Sequence, residues 1–277
     1  MPMRRLIAAL TLLAALVSAA GAQEADPACP RQPIPAEAKA AGLTREAFAL
    51  CPRKRDIGFA GESTTALFNG VWYQRTPPSP DLYSDTPDGL ALSLGGWLAS
   101  VSRRMKPGRL PLLAGSEPFF VEVEVSLSDN DRDHWPAIWM LPVEHDARQD
   151  DRLPGDPPNY ERWLEIDIDE GGFANGAKAA ILAWEGVWPQ YRRWQPPPLL
   201  DNEALDRTRP NKFAVLFQPD KREFSFWLND RRHTLVHDET TPDVMSRRHY
   251  YLILCAQSHG EQTPYSMVVR SIRAYVR

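Results

Sequence analysis

The 277-residue sequence predicts an all-β protein, a sandwich of two antiparallel sheets. Three observations predict it. Beyond residue 51 the apolar residues fall in short alternating runs, Pro, Gly, Asn and Asp separate those runs, and helical signals are scarce. Two packed antiparallel sheets require this pattern, because each strand turns one face to a shared core and then reverses at a turn.

The elements follow in chain order. From Pro35 to Leu50 an alanine-rich stretch interrupted by Gly42 favours a short helix. In Phe119–Leu127, residues Val121, Val123, Val125 and Leu127 take one face while Glu122, Glu124 and Ser126 take the other, the mark of a half-buried strand. Asp129-Asn-Asp-Arg-Asp133 alternates acids like the start of a calcium-binding EF loop. Its sixth position is His134 and its twelfth Met140, where such a loop needs glycine and glutamate, so it reads as a turn between strands. Lys212–Phe217 and Glu223–Leu228 are two strands joined by a hairpin with Pro219 in its turn, and Asn229-Asp230 turns the chain again. Tyr250–Cys255 is an apolar strand, and Tyr265–Val276 is a final strand of mixed polarity. Thr76–Pro80, Asp156–Pro158 and Gln195–Pro198 read as stiff loops at sheet edges.

The N-terminus carries an address. Arg4 and Arg5 precede an apolar run from Leu6 to about Val17, and small residues end at Ala20-Gly21-Ala22. This is the order of a secretory signal peptide over 1–22, and the run falls short of the roughly 20 residues that cross a bilayer. The expected organisation is therefore a leader, an N-terminal extension over 23–67, and one sandwich domain over 68–277, exported to the periplasm or beyond. Cys29 and Cys51 fit an oxidising compartment, where they can close a loop worth about 3 kcal/mol. Cys255 lies within an apolar strand and reads as a buried, unreactive thiol. The formal net charge of -4 gives no support to a nucleic-acid or anionic-membrane partner. Arg103-Arg104 and Arg247-Arg248 read as solvated edges, the six histidines lack zinc-site spacing, and no phosphate-cradling glycine loop is present.

The chemistry concentrates in Trp163-Leu-Glu-Ile-Asp-Ile-Asp-Glu-Gly-Gly172. Alternation sends Leu164, Ile166 and Ile168 to one face and Glu165, Asp167 and Asp169 to the other. Like charges on one face repel and raise one another's proton affinity, so an ordinary strand should avoid them. Retaining glycoside hydrolysis explains them, because it needs a carboxylate nucleophile and a protonated carboxyl about 5 to 5.5 Å apart. Long side chains suit the outer places, so Glu165 is the candidate nucleophile and Glu170 the candidate acid/base, with Asp167 between them. Glu170 is one residue out of phase, which requires a β-bulge near Ile168-Asp169. Repulsion from the other two acids is then expected to keep the proton on Glu170. The competing readings are an acidic strand edge or a calcium site built from carboxylates.

His134-Trp-Pro-Ala-Ile-Trp-Met-Leu-Pro142 followed by Glu165-Ile-Asp-Ile-Asp-Glu170 closely resembles glycoside hydrolase family 16, in its laminarinase-like branch. The resemblance covers about Phe68 to Arg277, including Gly89–Leu94 as an early strand. It implies a concanavalin-like jelly roll with a concave substrate cleft, and the same roles for Glu165, Asp167 and Glu170. It also implies Trp135 and Trp139 as candidates for stacking on the sugar, where core packing is the alternative. Trp184, Trp188, Tyr191 and Trp194 form a second aromatic cluster, either a further sugar platform or a loop packed on its own rings. Two positions depart from the family pattern: Trp184 stands where many members carry histidine, and Cys255 where asparagine is common. Both weaken the inference about substrate more than the inference about reaction. The expectation is thus a monomeric, secreted, endo-acting retaining hydrolase of a β-glucan-like polysaccharide, needing no cofactor, with a structural calcium as an option and no metal in its chemistry. A carbohydrate-binding protein without turnover and a transglycosylase are the alternatives.

Overall fold

The computed structural model describes residues 29–60, 64–146, 154–229, 231–236, 247–260 and 262–277; the expected leader over 1–22 and the turn residue Asp230 lie outside them. Two sheets form the body. The first has the order β16 (Arg231–Val236), β15 (Glu223–Leu228), β14 (Asn211–Gln218), β8 (Phe119–Leu127), β18 (Ser266–Val276), β5 (Gly89–Ser93), β4 (Tyr83–Thr86), with β1 (Arg45–Leu50) also on β18. The second runs β12 (Gln190–Trp194), β11 (Lys178–Val187), β10 (Glu161–Glu170), β9 (His134–Pro142), β17 (His249–Ser258), β6 (Trp97–Ala99), β3 (Leu67–Asn69), β2 (Ile57–Gly58). Short β7 (Leu113–Ala114) pairs with β17, and β13 (Leu199–Leu200) with β11. Apart from β2 and β3 the pairings are antiparallel. This is the antiparallel sandwich that the alternating runs predict, with the jelly-roll form that the family resemblance implies.

Alternation builds the core. From the first sheet Val121, Val123, Val125, Phe213, Val215 and Phe217 point inward, and from the second Ile138, Met140, Leu164, Ile166, Leu252 and Leu254 meet them, all buried. Residues of the opposite parity on the second sheet, Leu141, Tyr251 and Ile253 with Trp139 and Trp163, form a separate apolar cluster on its other face. The hairpin β14–β15 has the expected strands, with Pro219 in its connection. The acidic segment 129–133 is the expected link between β8 and β9, and the Asp129 carboxylate meets the His134 ring at 2.7 Å.

Three expectations need correction. The helix is confined to α1 (Ala36–Ala40), and Arg45–Leu50 is strand β1, paired from Arg45↔Val276 to Leu50↔Ile272. The early strand β5 covers only the Ser266–Val269 part of β18, so the rest of that edge would keep unpaired backbone groups, and β1 satisfies them. The strand β8 is more than half-buried: Glu122 and Ser126 are buried as well as the valines. Ala38 and Leu43 lie over Phe120, Ala214, Leu216, Trp227 and Tyr275, so the N-terminal segment covers the outer face of the first sheet. Arg103 is no solvated edge, since its guanidinium donates to the carbonyls of Val71, Gln74 and Arg75 and ties down the 71–75 loop.

The cover is fastened. A disulfide joins Cys29 and Cys51, with Cα atoms 5.0 Å apart. Arg273, on β18, is buried and pairs with Glu46 at 3.0 Å while donating to the Pro30 carbonyl at 2.6 Å. A buried guanidinium needs such partners, and they bind the first described residues to the last strand.

Candidate active site

Strand β10 supplies the acids. Its first part pairs in regular register with β11, Trp163 opposite Trp184, Glu165 opposite Leu182 and Asp167 opposite Ala180. On its other edge Asp167 lies opposite Trp139, Asp169 opposite Ile138 and Glu170 opposite Ala137. Three residues on β10 thus span two on β9, which is the bulge the out-of-phase glutamate requires. Its effect is to exchange faces. Asp169 follows Ile138 into the interior and Glu170 joins Trp139 and Ala137 on the outer side, with Asp167 and Glu165.

The turn after the bulge is clamped against β9 and the end of β17. The Gly171 N–H donates to the Pro136 carbonyl at 2.9 Å, and the Gly171 carbonyl lies 3.0 Å from the His259 ring nitrogen. A Cβ at Gly171 would meet the Pro136 ring at 2.5 Å, and one at Gly172, whose φ is +83°, would meet the Arg132 carbonyl and the His259 ring at 2.5 Å. Both positions therefore need glycine, for close approach at the first and for space and conformation at the second.

Asp169, turned inward, is satisfied by Arg207. The guanidinium forms a two-pronged contact with its carboxylate at 2.8 and 3.0 Å and donates to the Gly176 carbonyl at 2.9 Å. The pair fixes the bulge from the inside. Sequence reasoning missed Arg207, which lies 38 residues away with no spacing signal.

On the outer face the acids are crowded. Glu165 and Asp167 share a hydrogen bond, and burial, then the Glu170 charge, raise the Glu165 carboxyl to about 7. Asp167 is pushed well above the usual carboxylate range by burial and by the charges of Glu165 and Glu170. Glu170 has a cation, Lys178 of β11, at 2.7 Å, whereas Asp167 is buried between two acids, and both Asp167 and Glu165 have raised proton affinity. Lys178 was missed as well. It shares the parity of Trp184 on β11, so counting back by twos from Trp184 would have placed it on this face.

Four of the tryptophans named from sequence take different positions. Trp135 stacks on His259, ring centroids 5.0 Å apart, with Phe173 edge-on. Trp139 meets Trp97 edge-on at 6.2 Å, directly opposite Asp167 across the strand pair. Trp184 stacks on Trp163 and carries the Arg193 guanidinium over its ring at 4.8 Å. Trp188, at the tip of the β11–β12 hairpin, is 74% exposed. The second cluster thus packs partly on its own rings, while Trp188 stands free of it except for Tyr191. Sequence reasoning also missed Trp72, Tyr73, Trp97, His145 and Trp163, which extend the rings across the sheet. Cys255 is buried on β17 opposite Ala137 and Trp97, its thiol pushed up to about 12 by burial, as an inert thiol should be. Among the described residues no group of three or more His, Cys, Asp and Glu is arranged to hold a metal ion. No helix of the described residues is long and apolar enough to cross a membrane.

The fold is the jelly-roll sandwich also seen in solved glycoside hydrolases of family 16, and one strand of its second sheet carries three acids on its outer face. The solved endo-1,3-beta-glucanase of Streptomyces sioyaensis superimposes with a TM-score of 0.57 at 16% identity, over 89% of this chain and 99% of that one. A family 16 enzyme of Bacteroides ovatus from a mixed-linkage glucan utilisation locus, bound to its G4G4G3G product, superimposes at 0.50 with 12% identity, over 75% and 93%. No family model matches the sequence, and no curated protein matches it.

Proposed function

We propose that the chain is an endo-acting retaining glycoside hydrolase of a β-glucan-like polysaccharide, exported by the leader over 1–22 and acting without a cofactor. One observation carries the reading: the bulge in β10 that sets Glu170 on the face already occupied by Glu165 and Asp167. In this reading the Glu165 carboxylate attacks the anomeric carbon while Glu170 delivers its proton to the departing glycosidic oxygen, leaving a glycosyl ester on Glu165. Glu170 then takes a proton from water, the oxygen of that water attacks the same carbon, and the Glu165 carboxylate is released. Asp167, the most deeply buried of the three, retains its proton and donates it in a hydrogen bond to Glu165, which keeps the nucleophile ionised beside it.

The surroundings suit a sugar chain. Trp139, Trp163 and Trp184 lie on the same side of the second sheet as the acids, and aromatic ring faces suit the C–H faces of pyranoses. The Streptomyces enzyme is a 1,3-β-glucanase and the Bacteroides one holds a mixed-linkage product, which makes laminarin and lichenan the first substrates to try. The Lys178 contact engages the Glu170 carboxyl at 2.7 Å, which leaves a second reading, a carbohydrate-binding protein without turnover. Reducing-end release from laminarin, lichenan, agarose and exopolysaccharides decides between them: hydrolysis of any supports the enzyme, and binding without release in every case defeats it. Products lengthened on added sugar acceptors would identify a transglycosylase.

A further inference from the structure

Lys178 is the charged group in direct contact with Glu170, and the reaction scheme does not use it. Its ammonium lies 2.7 Å from the Glu170 carboxylate and 3.8 Å from the centre of the Phe173 ring, and both members of the ion pair are nearly enclosed, 16% and 13% exposed. Phe173 in turn leans edge-on against His259 at 4.4 Å. The cation is thus held in place by an aromatic face and one carboxylate, in surroundings where a charge pair is screened far less than at a surface.

We propose that Lys178 is a positioning residue for Glu170, tying its carboxyl to β11 and setting the pH range over which it can hand a proton to the glycosidic oxygen. The proposal rests on the assignment of Glu170 as the acid/base. The other charged or titratable groups facing Glu170 act in the opposite sense or not at all. Along β10, Glu165 and Asp167 repel its charge. From β17, Cys255 is a neutral buried thiol, and the His259 ring is engaged with the Gly171 carbonyl. From β9 the facing residue is Ala137, which carries no charge. Arg193, near Trp184, acts on Glu165 at the other end of the row. Lys178 is therefore the cation whose loss changes what Glu170 faces.

The test compares the full chain with Lys178→Met, Lys178→Gln and Lys178→Arg, each checked for cooperative unfolding. Two readouts are taken: the pH profile of kcat/KM on whichever glucan is cleaved, and the carbon-13 titration of the Glu170 carboxyl, identified by its loss in Glu170→Gln. An opposite charge at this distance favours the ionised carboxyl by a factor of about ten or more. Lys178→Met and Lys178→Gln are therefore expected to move the alkaline limb of the profile, and the carboxyl midpoint, to higher pH by about one unit. Lys178→Arg should leave both in place. An unchanged carboxyl midpoint in both folded neutral variants overturns the proposal. The titration needs no turnover, so a shifted midpoint in a chain that cleaves no glucan would defeat the hydrolase reading while leaving Lys178's hold on Glu170 standing.

Discussion

Asp167 and Glu170 are three residues apart on β10 yet lie opposite Trp139 and Ala137, which are two apart on β9. On a regular strand a three-residue step reverses the face; here the bulge absorbs the extra residue, and two acids of opposite parity share one side.

Loss of either outer acid should abolish turnover. Glu165→Gln and Glu170→Gln each keep the shape of the side chain, so both variants should fold and lose reducing-end release by on the order of a thousandfold. Circular dichroism alongside the assay separates lost chemistry from lost structure, and full activity in either variant refutes the assignment.

Stability should fall as pH rises toward neutrality. The Glu165 carboxyl is raised from 4.5 to about 7 in the folded chain, so the folded state binds the proton more tightly than the unfolded one. This contribution is fully present below about 4.5 and is lost as pH climbs through about 7, a change on the order of 3 kcal/mol. Urea unfolding from pH 4.5 to 8 should show that slope, and Glu165→Gln should lessen it, the raised proton affinity of Asp167 contributing in the same direction. The acid limb of activity should lie near neutrality for the same reason, since only the ionised form attacks.

Breaking the inner pair should cost more stability than any change on the outer face. Arg207 and Asp169 are both enclosed and doubly bonded. Removing one partner strands a buried charge, at about 3 to 5 kcal/mol. Arg207→Met should therefore lower the urea midpoint sharply and lose activity with it, by releasing the bulge.

Reduction of Cys29–Cys51 should loosen the N-terminal cover. The bridge closes a separation of 22 residues, which corresponds to about 3 kcal/mol of chain entropy. Thermal unfolding with and without dithiothreitol measures this directly, and an unchanged Tm would show that the Arg273 contacts suffice.

Trp188→Ala should leave stability within about 0.5 kcal/mol of the parent, because the ring is exposed at a hairpin tip. If the ring carries sugar, KM for long oligosaccharides should rise severalfold with kcat unchanged. Trp139→Ala, opposite Asp167, should instead lower kcat as well.

The acid row was legible before any coordinates because side-chain parity is local: Glu165, Asp167 and the need for a bulge at Ile168-Asp169 all follow from counting along one strand. The same logic found β8, β14 and β15 almost to the residue. It misjudged 45–50, where alanine and glutamate favour helix, because the competing demand was an unpaired edge more than 200 residues away on β18. It had no means to see Lys178 arrive beside Glu170 from the neighbouring strand.

By itself the sequence determined the all-β class, the positions of most long strands, the cysteines able to form a bridge, and the strand that carries the acids. Those properties depend on backbone period and on residues close in the chain. The tertiary structure alone decided which cation meets which carboxylate, Arg207 with Asp169 inside and Lys178 with Glu170 outside, and what covers the outer face of the first sheet. Charge pairing and burial are set by segments that meet only when the chain folds, so the charges that surround these acids are a property of the packed sheets and not of the motif.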